Sequence, residues 1–87
     1  MSSGNNAQQL PTMPSMRVEY DEQADMAYIY LREIEPGGVA STAPGWPGTE
    51  AFGVNLDFDA EGQLIGIEVD AASSRLPAEL LATAERL

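Results

Sequence analysis

Apolar and polar residues alternate from Ala51 to Val69, with one interruption. Residues 51–58 place apolar side chains at every second position, and residues 63–69 do so again. Asp59-Ala60-Glu61-Gly62 separates the two runs, and glycine suits a turn that requires positive φ. A repeat of two residues is the repeat of a β-strand. The pattern therefore predicts a β-hairpin, and 87 residues leave room for one small domain around it.

Two further strands are predicted before this hairpin. Residues 17–20 alternate, with Val18 and Tyr20 on one side. Residues 26–33 are rich in aromatic and β-branched residues, which favour strands, and both sides of this strand are apolar. Residues 39–43 fit a short edge strand, and the Pro- and Gly-rich residues 44–48 fit an irregular loop.

The end of the chain changes its repeat to that of a helix. Leucines and an alanine recur at helical spacing, at Leu76, Leu80, Leu81, Ala84 and Leu87. We therefore expect one helix over residues 77–86. The predicted fold class is α+β: a small antiparallel β-meander of four or five strands with one C-terminal helix packed on one face. Residues 1–15 are polar and aperiodic and are predicted to be a flexible N-terminal arm, and residues 16–87 form the single domain.

Three motifs resemble a known family. They are Y-D-x-x-A-D with Tyr-Ile at 20–29, N-L-D-F-D-x-E-G at 55–62, and L-I-G-I-E-V with Ala-Ser at 64–73. Together they resemble the small bacterial family named domain of unknown function twenty-two eighty-three. The resemblance covers residues 16–81, and the second motif is the most specific. Ala27 stands where the family usually has Leu, and Phe58 where it usually has Tyr.

The resemblance implies a small antiparallel-sheet fold with no established activity. It supplies no catalytic residues to carry over to this chain. The resemblance also implies that such genes lie beside genes for small, basic, toxin-like proteins, and this placement hints at an antitoxin-like role.

Charge narrows the classes of function. The chain has fourteen Asp and Glu residues, four Arg and no Lys, His or Cys, which gives a net charge of −10. This composition excludes Cys/His zinc sites, thiol nucleophiles and imidazole bases. It also opposes binding to nucleic acid or to an anionic membrane, which both require a cationic surface. With no apolar run of membrane-spanning length and no secretory signal, we expect a cytoplasmic protein.

The acidic turn could hold a cation. Residues 57–68 have the acid spacing of an EF-hand loop, but strands, not helices, are predicted on both sides. A simpler cation site could use Asp57, Asp59 and Glu61, because clustered carboxylates suit hard cations. The plainer alternative is a solvated acidic turn. Asp21 and Asp25 could likewise be paired catalytic carboxylates, although turn-forming hydrogen bonds explain both more simply.

Aromatic residues offer a candidate interface. Met26, Tyr28 and Tyr30 share the strand side opposite Ile29, and these residue types are enriched at protein interfaces. Burial by a curled sheet is the alternative. Trp46, framed by Pro and Gly, could be a binding hot spot or a cover for the sheet edge.

Two functions remain open at this point. The first is a non-catalytic protein-interaction module without a cofactor, whose acidic surface meets a small basic protein and which could form a homodimer. The alternative is a divalent-cation binder or small carboxylate enzyme that uses Asp57, Asp59 and Glu61. The first is preferred because so small a core leaves little room for a preorganised pocket.

Overall fold

A computed structural model describes residues 16–45 and 53–87. They form a sheet of six strands and two short helices, an α+β fold. The elements in chain order are β1 (Arg17–Asp21), β2 (Met26–Tyr30), β3 (Ser41–Pro44), β4 (Val54–Phe58), β5 (Leu64–Asp70), α1 (Ala72–Arg75), α2 (Ala78–Ala82) and β6 (Glu85–Arg86). Within the described ranges, neither helix is long or apolar enough to cross a membrane.

The sheet is built from a hairpin and a three-stranded meander. Its strand order is β3-β4-β5-β2-β1-β6, so β5 of the meander pairs with β2 of the hairpin. These pairings are all antiparallel, and β6 alone joins in parallel, beside β1. The expected four or five antiparallel strands were thus an underestimate, and the sheet is mixed. The edge strand expected near residues 39–43 is β3.

The strand registers divide the sheet into an apolar face and a polar face. On the apolar face two rows of side chains run across neighbouring strands. The core row comprises Tyr20, Ala27, Val69 and Val54. The open row comprises Val18, Ile29, Ile67, Leu56 and Ala43. The two helices add Ala72 and Leu81 to the core row, which completes the main buried cluster.

The C-terminal helix is much shorter than predicted. The expected helix over residues 77–86 ends at Ala82, and a second helix, α1, precedes it. Residues 85 and 86 leave helical geometry because they pair with β1. Arg86 fixes this end, since its guanidinium donates to the Leu81 carbonyl at 2.8 Å and lies 5.1 Å from the Tyr20 ring centroid. The helical spacing of the leucines therefore corresponds to a helix of little more than one turn, and the residues on either side of it are not part of that helix.

The predicted hairpin is confirmed within the described residues. β4 and β5 pair in antiparallel register, with an irregularity between Asp57 and Phe58. Gly62 has φ +82°, as the turn required. Asp59 is buried there, and one of its carboxylate oxygens accepts the amides of Glu61 and Gln63 at 3.0 and 2.9 Å. The turn is thus held by a carboxylate that replaces missing backbone partners.

Candidate functional site

The polar face of the sheet carries every acidic residue of the six strands. The register places these residues side by side on the face opposite the two apolar rows: Glu19, Asp21, Asp57, Glu68, Asp70 and Glu85. The apolar face of the strands carries no carboxylate and a single charge, Arg86, at its edge. The sheet therefore separates negative charge from apolar surface.

Each of the three tyrosines in the chain donates its hydroxyl to a carboxylate. Tyr28 donates to Asp57 at 2.6 Å and Tyr30 to Glu19 at 3.0 Å, both on the polar face. The Tyr28 and Tyr30 rings meet edge to face, with centroids 4.7 Å apart. Aromatic pairs in this arrangement attract each other beyond their buried area. The centre of the polar face is thus a pair of touching rings, each of which donates its hydroxyl to a carboxylate.

Gly66 allows the Tyr28 ring to cross β5. A Cβ built at Gly66 would overlap the Tyr28 hydroxyl and would come within 2.8 Å of its Cε2 atom. Gly66 pairs with Asp57 in the neighbouring strand, so the ring passes over the glycine to reach that carboxylate. Glycine inside a strand often marks such a close approach.

Arg17 shows how this face holds a guanidinium. Its side chain donates to Glu19 at 2.6 Å and, at 3.4 and 3.5 Å, to Glu85 and Glu33. The same guanidinium stacks over the Tyr30 ring, 3.8 Å from its centroid. Stacking on an aromatic ring and pairing with carboxylates are the two contacts that arginine makes best. The polar face therefore contains one complete arginine site, occupied by the chain itself.

The tyrosine hydroxyls are held in the protonated state. Burial and the hydrogen bond to Asp57 raise the pKa of Tyr28, and burial with the Glu19 contact raises the pKa of Tyr30. The hydrogen bond to Asp25, followed by burial, raises the pKa of Tyr20. A tyrosine with a raised pKa is a poor nucleophile and a poor base near neutral pH.

Asp25 ties the first hairpin to helix α1. It lies in the left-handed region with φ 55°, which Asp tolerates better than most residues. Its carboxylate accepts the Tyr20 hydroxyl, the Ser73 amide and the Ser73 hydroxyl at 2.8 to 2.9 Å. The Tyr20 and Ser73 hydrogen bonds lower the pKa of this carboxyl. Asp25 thus has a structural task, while Asp21 accepts the turn amides of Gln23 and Ala24.

Comparison with family models gives a match over most of the chain. The model of the family described as a protein of unknown function, DUF2283, matches residues 17–73. The chain belongs to the DUF2283 family. Searches of curated proteins and of solved structures give no significant match. The match covers β1 to the start of α1, which includes both tyrosines of the polar face, Gly66 and Asp57.

In this DUF2283 chain, the three residues predicted to bind a cation have different surroundings. Asp57 accepts Tyr28 and, at 2.6 Å, the Thr42 hydroxyl. Asp59 pairs with Arg32 at 2.5 Å and holds its own turn, where Glu61 is exposed. Across the described residues, no three acidic side chains are grouped so that they could hold a metal ion. The structure therefore does not bring Asp57, Asp59 and Glu61 together as a ligand set.

The predicted interface residues lie partly on the polar face. Met26, Tyr28 and Tyr30 are all half-buried and share this face, as their spacing indicated. Trp46 lies outside the described residues. Their part in binding a partner stays a prediction.

Sequence reasoning missed the partners of the tyrosines. Glu19, Arg17 and Thr42 belong to the polar face, but nothing local shows which strand lies beside which. Gly66 carried a usable signal, because a glycine inside an alternating strand marks either a bulge or a close approach. That signal, together with a tyrosine on the same face of a neighbouring strand, could have suggested that the Tyr28 ring crosses β5 at Gly66.

Proposed function

We propose that this DUF2283 protein is a non-catalytic interaction module that binds a small basic protein through the polar face of its sheet. The observation that carries the proposal is the placement of all strand carboxylates on that one face. A surface of net negative charge attracts a positively charged partner and accelerates the encounter. A net charge of −10 strengthens this attraction.

The chemistry of the face favours arginine in the partner. Tyr30 and Glu19 hold Arg17 by stacking and pairing. Tyr28 lies on the same face of β2, two residues before Tyr30, and is beside Glu68 and Asp57. This position offers the same combination of an aromatic ring and carboxylates. The residues that pair with Tyr28 across the sheet are Glu19 and Glu68, so they add negative charge, not positive. A partner arginine at Tyr28 would repeat the contacts of Arg17.

Capture from a native lysate at low and high salt tests the proposal. The wild-type protein should retain a small basic protein at low salt and lose most of it at high salt, because salt screens exposed charges. The variant Asp57→Asn with Glu68→Gln should retain much less. The matched variant Glu61→Gln with Glu79→Gln removes the same charge away from the polar face and should bind like the wild type.

Each variant is first checked for folding by circular dichroism. Equal capture by the two double variants would show that net charge alone attracts the partner, and the polar face would lose its assigned role. Failure of the wild-type protein to enrich any basic protein would overturn the proposal as a whole.

A further inference from the structure

Three carboxylates surround the guanidinium of Arg17 and outnumber it. The guanidinium contacts Glu19 at 2.6 Å, Glu85 at 3.4 Å and Glu33 at 3.5 Å. One positive charge against these three negative charges leaves a net charge of −2 in the cluster. Because opposite charges attract, the cluster still attracts a second cation while Arg17 occupies it.

Arg17 is held in this cluster mainly by one ion pair and one ring. The contact with Glu19 is short, and the guanidinium lies 3.8 Å from the Tyr30 ring centroid. The other two contacts are long, and the side chains of Glu33 and Glu85 are 62 % and 58 % exposed, so these pairs contribute little. Arg17 is also the first residue of β1, and strand ends open at low cost. The Arg17 side chain can therefore leave the cluster at little cost to the rest of the sheet.

The contacts that orient the site do not involve Arg17. The Tyr30 hydroxyl donates to Glu19 Oε1 at 3.0 Å, whereas Arg17 uses the other oxygen, Oε2. The Tyr30 ring also meets the Tyr28 ring edge to face. The ring and the carboxylate therefore stay oriented for a guanidinium after the Arg17 side chain has left. A preorganised site of this kind loses less conformational entropy when it binds a ligand.

We propose that Arg17 is an internal substitute for a partner arginine, which takes its place on Tyr30 when the partner binds. This inference rests on the proposed function and adds the regulation of the same face. Arg17 covers one side of the ring, so a partner arginine can stack on that side only by exchange. The displaced Arg17 stays tethered beside the cluster, and the exchange adds one positive charge where negative charge is in excess. Lysine is a weaker competitor, because its ammonium lacks the planar surface that stacks on a ring.

A nuclear magnetic resonance titration follows this exchange in the full chain. Nitrogen-labelled protein is mixed with an unlabelled oligoarginine peptide, so that only the protein's own arginine side chains are observed. The Arg17 Nε–Hε signal should move to the position of a solvent-exposed arginine. The Arg75 signal should stay in place, because helix α1 packs on the opposite face of the sheet. Oligolysine of the same length should move the Arg17 signal less.

The outcomes of this titration separate the inference from the proposed function. The side-chain amide of Asn55 also lies on the polar face, where it donates to Glu68. If the Asn55 signals shift while the Arg17 signal stays in place, the peptide binds the polar face without exchange, and the inference is overturned. If neither residue responds, no arginine ligand binds this face, and the proposed function fails as well.

Calorimetry with the same peptide tests whether Arg17 competes, after circular dichroism has checked that each variant is folded. Arg17→Gln removes the internal occupant and should bind oligoarginine roughly fivefold more tightly, which corresponds to one exposed cation–π contact. The matched variant Arg75→Gln removes the same charge from helix α1 and should change the affinity by less than about twofold. Arg17→Lys keeps the net charge but stacks less well, so its affinity should lie between those of the wild type and Arg17→Gln. Equal gains from Arg17→Gln and Arg75→Gln would show that Arg17 only balances charge, and weaker binding by Arg17→Gln would likewise overturn the inference.

Discussion

On its polar face the sheet pairs Tyr28 with Asp57 and Tyr30 with Glu19, whereas on its apolar face the open row offers only hydrocarbon to its surroundings. Both faces leave large side chains half-buried. On the polar face hydrogen bonds satisfy those side chains within the chain, and the surface stays compatible with water. The side chains of the open row cannot be satisfied in this way, because hydrocarbon is stabilised only by removal from water. A half-buried side chain on the polar face is therefore stabilised by hydrogen bonds within the chain, whereas one in the open row is stabilised only to the extent that it is removed from water.

The largest expected effect comes from the apolar side. Ile65 is 2 % exposed, and Ile65→Ala should lower the free energy of unfolding by about 3 kcal/mol, because it leaves a cavity in a small core. The neighbouring Leu64 is 37 % exposed, so Leu64→Ala should cost less than about 1 kcal/mol. Urea denaturation measures both. Equal losses would mean that the two sides of β5 do not differ in burial as described.

On the polar side, Gly66→Ala should have the strongest effect. The new methyl group overlaps the Tyr28 ring and should lower stability by about 2 kcal/mol, the usual scale for overpacking. In a Tyr28→Ala background the same substitution should cost almost nothing, since the ring is gone. A double-mutant cycle by urea denaturation measures this coupling. Additive losses would show that the ring does not rest on Gly66.

Removal of one hydroxyl from the polar face should have a smaller effect. Tyr28→Phe keeps the ring over Gly66 and loses the hydrogen bond to Asp57, which should cost about 1 kcal/mol. Thr42→Val removes the other donor to the same carboxylate at an exposed position and should cost less. Unfolding of both variants in urea gives the comparison. A larger loss from Thr42→Val would assign the main support of Asp57 to β3, not to the ring.

The smallest effect is confined to alkaline pH. All three tyrosines have a raised pKa in the folded chain, so their protonated forms stabilise it. This contribution is complete below the unfolded pKa of about 10 and is lost as pH rises through the folded pKa values. The ultraviolet absorbance of tyrosinate should therefore appear above pH ~10 and together with loss of structure. A tyrosine that ionises at its ordinary pKa in the intact fold would contradict its pairing with a carboxylate.

Local pattern was sufficient for the hairpin of β4 and β5, because its period and its turn residues are neighbours in sequence. The same local signal misled at the C-terminus. There the fate of Glu85 and Arg86 depends on β1, some 65 residues earlier, and on the contact of Arg86 with Tyr20. Only part of the candidate site was predictable from the sequence. Alternation shows which residues share a face with Tyr28 within β2 and with Asp57 within β4. It does not show that the two residues lie on the same face of the sheet, because a register shift of one residue would place them on opposite faces. Only the pairing of both strands with β5 brings Tyr28 and Asp57 together.

The central claim is that a basic partner binds the polar face, and one measurement addresses that face directly. The side-chain amide of Asn55 lies there and donates to Glu68 at 3.3 Å, whereas the methyl groups of Ile67 lie on the opposite face of the next strand. An NMR titration with an oligoarginine peptide can follow both groups in one sample. The account predicts that the Asn55 side-chain signals shift while the Ile67 methyl signals stay in place. Shifts of the Ile67 methyl groups with unchanged Asn55 signals would contradict it.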